Sequence, residues 1–187
     1  MTSDSQAILI AVILIALVVV IVAVVVAQRR RSEHLRERFG PEYDRAVQDA
    51  GDRRHAETEL RQRERRREKL DIRPLPDAQR DRYTTEWKAT QAQFVDDPRG
   101  ALAKADGLLG EVMEARGYPT GDFDQQAADL SVDYASVVSD YRRAHAIAAN
   151  SSRASTEDLR SAMVIYRSLF DRLVAERAPR EPVSQRS

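Results

Sequence analysis

The chain contains no cysteine, which removes disulfides, thiolate metal sites and cysteine nucleophiles in one step. Lysine is scarce as well: only Lys69, Lys88 and Lys104 share the basic charge with arginine. No segment alternates apolar and polar residues with the period of two that a half-buried strand requires, so an all-α protein is expected. His34, His55 and His145 are too far apart in sequence to form a ligand cluster. Gly100, Gly107 and Gly110 lack the preceding strand and the Lys-Ser/Thr ending of a phosphate loop. No nucleophile, acid or base stands in a recognisable arrangement, so no catalytic, cofactor or metal residues are assigned and the chain is not expected to be an enzyme.

One long apolar run is present. Ala7 to Ala27 carries no polar residue, and at about 1.5 Å per residue it is roughly 31 Å long, the thickness of a bilayer's hydrocarbon core. A transmembrane helix over 7–27 is therefore expected, preceded by a short tail over 1–6, and the lipid bilayer is the first partner. The run lacks glycine, hence a GxxxG dimer motif, and lacks charge, hence a transport path. Arg29, Arg30 and Arg31 follow it, whereas the N-terminal flank carries only Asp4. Basic residues collect on the cytoplasmic flank, so the expected topology is a single-pass plasma-membrane protein with its N-terminus outside and everything after the run in the cytoplasm. The three arginines also suit contact with anionic lipid, at about 1 kcal/mol each near the surface.

Residues 29–73 hold 15 Lys/Arg against 11 Asp/Glu, a balance of +4, while residues 74–187 hold 15 against 18, a balance of −3. The basic excess is diluted by acids, so no nucleic-acid partner is expected. A charged helical stalk is predicted over 28–73, broken at Gly40-Pro41, with Gly51 as a weak point. Asp49/Arg53, Glu57/Arg61 and Glu59/Arg63 place acid four residues before base, which supports a helix by roughly 0.2–0.5 kcal/mol per pair. Apolar residues thin out between Val47 and Leu60, which defeats a sustained coiled coil. The stalk is either a solvated spacer or a surface for a protein partner or a second copy, a homo-oligomer.

Pro74 and Pro76 end the stalk and open a small antiparallel helical bundle over 74–178, with a disordered tail over 179–187. Asp77, Asp97 (with Pro98 behind it), Asp122, Asp133 and Ser155 are candidate helix caps, and Gly117 a stop. The strongest stripe is Leu159, Ala162, Met163, Tyr166, Leu169, Phe170, Leu173 and Val174, repeating at three and four. Trp87, Phe94, His145 and Tyr166 are the candidate residues of a bundle core or pocket.

The stretches ERFGPEYDRAV (37–47), GDRR (51–54), LDIRPL (70–75), WKATQAQFVDDPRGAL (87–102), RGYP (116–119) and AADLSVDY (127–134) resemble an actinobacterial family of single-pass proteins with an N-terminal membrane helix. That family brings no assigned activity, so the resemblance implies an architecture and no site residues. Two functions are left in view: a membrane-anchored cytoplasmic interaction or scaffold module, and a small-molecule or lipid sensor with a pocket in the bundle.

Overall fold

A computed structural model describes the backbone of residues 3–175 and the side chains from Ile15 onward, Val24 excepted. Among the described residues there are seven helices and no strand: α1 (Ser3–Phe39), α2 (Pro41–Ala50), α3 (Arg53–Arg67), α4 (Asp77–Gln93), α5 (Pro98–Arg116), α6 (Phe123–Ala149) and α7 (Thr156–Ala175). The protein is all-α, as the absence of strand periodicity predicts. Among the described residues no helix is long and apolar enough to cross a membrane. The expected span over 7–27 falls partly outside them, since the side chains of 7–14 are not described. The expected tail over 179–187 also lies outside the described residues.

Helices α4 to α7 form the predicted bundle. All eight residues of the α7 stripe are buried, and they meet Leu102, Leu109, Val112 and Met113 of α5 and Val138 and Tyr141 of α6 in one core. Its ends are set locally. The Asp97 carboxylate accepts from the Gly100 amide at 2.9 Å, and Ser155 and Asp158 bond each other's amides at 3.1 and 3.0 Å in a reciprocal capping box. Asp77 is the first residue of its helix and caps nothing; Pro76 precedes it without a side-chain bond. Gly117 stops α5 in the left-handed region, φ 97°, and a Cβ there would meet the Asp71 carbonyl oxygen at 2.2 Å. Only glycine lets the linker after α3 lie this close to the end of α5.

The break expected near Asp133 is present: Phe123–Ala149 is two helical segments joined across a kink at Tyr134 (φ −128°, ψ 37°), bent far enough that the Phe123 and His145 rings stack at 3.6 Å. Asp133 does not cap the second segment, because its carboxylate is taken by Arg67 and by the Tyr118 hydroxyl at 2.7 Å. The bend has a local cause one turn earlier: buried Ser131 donates its hydroxyl to the Ala128 carbonyl at 2.6 Å, competing with the helical ladder.

The larger correction concerns residues 28–73, which are not an extended stalk. Gly40-Pro41 ends α1, and Gly51 turns the chain again with φ 73° while Asp52 caps α3 through the Arg54 and His55 amides at 2.7 and 3.0 Å. Two of the expected acid-before-base pairs therefore fail. Asp49 lies across the break from Arg53 and pairs backwards with Arg45, and Glu57 turns inward and pairs backwards with Arg53; Glu59 and Arg63 do meet. The α2–α3 hairpin folds onto α6, burying Leu35, Phe39, Tyr43, Ala46, Ala56, Leu60 and Val132 in a second core. Few apolar residues suffice because each one is almost wholly removed from water. Leu60 is the discriminating position: on a solvated stalk its truncation would be near neutral, whereas here Leu60→Ala is expected to cost about 2–5 kcal/mol, read from chemical denaturation of the protein.

Candidate functional site

Of the four candidate bundle residues, Trp87 and Tyr166 are buried in the bundle core. Trp87 stacks on Phe170 with ring centroids 4.6 Å apart, its indole N–H has no hydrogen-bond partner among the described residues, and Phe94 packs partly buried against the same core. His145 and Tyr166 do meet, at Asp106: the Tyr166 hydroxyl donates to the carboxylate at 2.6 Å and the imidazole Nδ1 lies 3.2 Å from the same oxygen. The His145 ring stacks on Phe123 at 3.6 Å. Burial and the adjacent Asp106 charge push the Tyr166 hydroxyl well above the ordinary phenol range, so it stays protonated as a donor. Asp106 is absent from the sequence reading, although it shares a helix face with Leu102 and Leu109, both buried. An acid on an apolar stripe is the signal that would have found it.

A belt of ion pairs joins the hairpin to α6. Glu42 is 1% exposed; its carboxylate lies 3.5 Å from Arg63 and 3.6 Å from Arg142. Arg142 also reaches Asp124 at 2.8 Å, Arg66 reaches Asp129 at 3.2 Å, and Arg67 pairs with Asp133. Desolvation lowers the proton affinity of Arg142, and the Glu42 charge opposes that loss. Each of these acids is committed to holding helices together.

The third cluster faces outward. Where α1 leaves its apolar run it lies alongside α3, with an Arg38–Glu64 pair at 3.3 Å between the two helices. Between the two helices is an open cleft of about 870 Å³. Val25, Gln28, Arg29, Arg31 and Ser32 line it from α1, and Arg53, Arg54, Glu57, Thr58, Arg61 and Arg65 from α3. Glu57, its one acid, accepts from Tyr43 at 2.9 Å and from Arg53 at 2.8 Å. Arg29, Arg31, Arg54, Arg61 and Arg65 form no ion pair among the described residues. Arg30 points elsewhere, lining a shallow apolar face with Val18, Val22 and Val26. The α3 arginines belong to the segment expected to be a solvated spacer or a surface for a protein partner or second copy; their 54/61/65 spacing, seven and then four residues, marks one helix face.

Among the described residues no group of three or more His, Asp or Glu is placed to hold a metal ion. No protein-family model, curated protein or solved structure matches the chain.

Desolvation raises the Glu57 proton affinity, but bonds from Ser32, Arg53 and Tyr43 outweigh it and hold the carboxyl below the usual glutamate range. A depressed carboxyl contributes stability that is complete above its unfolded value and is lost as pH falls through the lower folded value. Acidification from pH 5 to 3 is therefore expected to loosen the α1–α3 contact. Glu57→Gln should flatten part of that slope in thermal midpoints measured against pH; an unchanged slope would show that Glu57 does not carry it.

Proposed function

We propose that this protein is a single-pass plasma-membrane module with no catalytic chemistry of its own, anchored by the apolar part of α1, with its N-terminus outside and its helical domain in the cytoplasm meeting a protein partner. The observation that carries this reading is the state of α1: Ile15, Leu17 to Val22, Val25 and Val26 are 43–64% exposed and belong to neither apolar core among the described residues. Apolar surface on that scale calls for lipid or another protein, and the apolar residues from Ala7 onward extend the same helix toward a bilayer's thickness. Three arginines at its C-terminal boundary favour the cytoplasmic side. Because the hairpin packs on α6, the module sits close to the bilayer and not at the end of a spacer.

The alternative, a small-molecule sensor with a pocket among Trp87, Phe94, His145 and Tyr166, has weaker support. Trp87 is covered by Phe170, and Tyr166 and His145 are occupied with Asp106.

In membranes from cells producing the full chain, the protein is expected to stay in the pellet after alkaline carbonate extraction, and its C-terminal part to survive protease added to intact spheroplasts. Release into the supernatant would overturn the anchor, and digestion in spheroplasts would overturn the orientation.

A further inference from the structure

We propose that the cleft between α1 and α3 binds the phosphoryl headgroup of an anionic phospholipid, an inference that rests on the membrane placement proposed above and extends it to a specific ligand. The lining is strongly cationic, and its charge is not satisfied from within: Glu57 is occupied by Tyr43 and Arg53, which leaves Arg29 and Arg31 on one wall and Arg54, Arg61 and Arg65 on the other without a carboxylate among the described residues. Guanidinium groups facing one another across a cleft repel, and a phosphate relieves that repulsion while matching their planar fork with paired N–H···O bonds. The wall is partly prepared for this. The Thr58 hydroxyl donates to the Arg54 carbonyl at 2.8 Å and accepts from Arg61 Nη2 at 3.2 Å, which limits the positions open to Arg61.

Two features favour a lipid over a soluble phosphate. Val25 belongs to the lining, so the cleft passes directly into the exposed apolar surface of α1, and an amphiphile meets a matching chemistry at each end. The depth also agrees. Ser32 lies five residues beyond Ala27, about 7.5 Å along the helix, comparable to a headgroup layer of roughly 5–8 Å on each side of the hydrocarbon core. Free phosphate would use the arginines alone and leave the apolar wall idle.

The test uses the full chain purified in a non-ionic detergent, with binding of dioctanoyl phosphatidylglycerol followed by native mass spectrometry. Dioctanoyl phosphatidylcholine and inorganic phosphate serve as comparison ligands. Phosphatidylglycerol is expected to bind in preference to phosphatidylcholine and to weaken with added salt. The triple variant Arg54→Gln/Arg61→Gln/Arg65→Gln should bind it about a hundredfold more weakly. The charge-matched control Arg153→Gln/Arg160→Gln/Arg167→Gln, at exposed positions on and just before α7, should bind like the parent. Should the triple variant misfold, Arg54→Gln and Arg65→Gln alone are each expected to weaken binding about fivefold. Equal binding by the cleft variants and the parent overturns the proposal, as does equal loss in the control. Displacement of the lipid by inorganic phosphate at similar concentration overturns the lipid assignment in favour of a soluble phosphate ligand. Carbonate extraction, scored separately, reports on the anchor: a chain that extracts but still binds phosphatidylglycerol through the cleft loses the membrane anchor and keeps the site.

Discussion

A carboxylate that is 1% exposed must find cations, and Glu42 finds them on two different helices, Arg63 of α3 and Arg142 of α6. Burying these charges costs several kcal/mol per ion before their attraction returns part of it, so the cluster is a poor source of net stability. Its effect is to select the seating. If the hairpin slid along α6, Glu42 would lose its partners while staying buried, a far worse state than the observed one. The hairpin lies close to the bundle because of this constraint, and α3 is consequently held beside the arginine-bearing stretch of α1 that follows its apolar run.

Helix α6 is the wall shared by both cores. Val132 faces the small core with Leu60, while Leu130, Tyr134 and Val138 face the bundle. The departure from helical geometry at Tyr134 lies between these surfaces. Its hydroxyl lies 2.6 Å from Nη1 of Arg116, a fully buried arginine that also donates to the carbonyls of Leu173 at 2.9 Å and Arg73 at 3.3 Å. One guanidinium thus ties the linker after α3 to α5, α6 and α7.

The arginines divide into two populations with different surroundings. Those at the seam between the hairpin and α6 are matched to acids, as in Arg63, Arg66 and Arg67 of α3 and Arg142 of α6. Those facing the α1–α3 cleft are surplus beyond the Arg53–Glu57 pair. Inner arginines join helices; outer ones meet no carboxylate among the described residues. This division is why a segment of modest net charge can present a strongly cationic surface.

Features written within a turn or two of the chain were legible beforehand. The α7 stripe, the Asp97 and Ser155 caps, the Pro41 restart and the Gly117 stop each depend on helical period or a single backbone conformation. The break near Asp133 is legible in the same way, but the role of the acid is not: an acid before an apolar run reads as a cap, whereas this carboxylate serves Arg67 and Tyr118 beside the kink. The charged segment was misjudged for a related reason. Spacing along one helix describes neighbours at four residues, but it cannot say that Arg67 meets an acid 66 residues away or that Arg65 meets none among the described residues. Local sequence settled where helices start, stop and show an apolar face, since those are short-range steric and hydrogen-bonding matters. Which charges are cancelled and which are left without a carboxylate among the described residues was decided only by the packing of α2 and α3 on α6, because charge pairing depends on distance in space and not on distance along the chain.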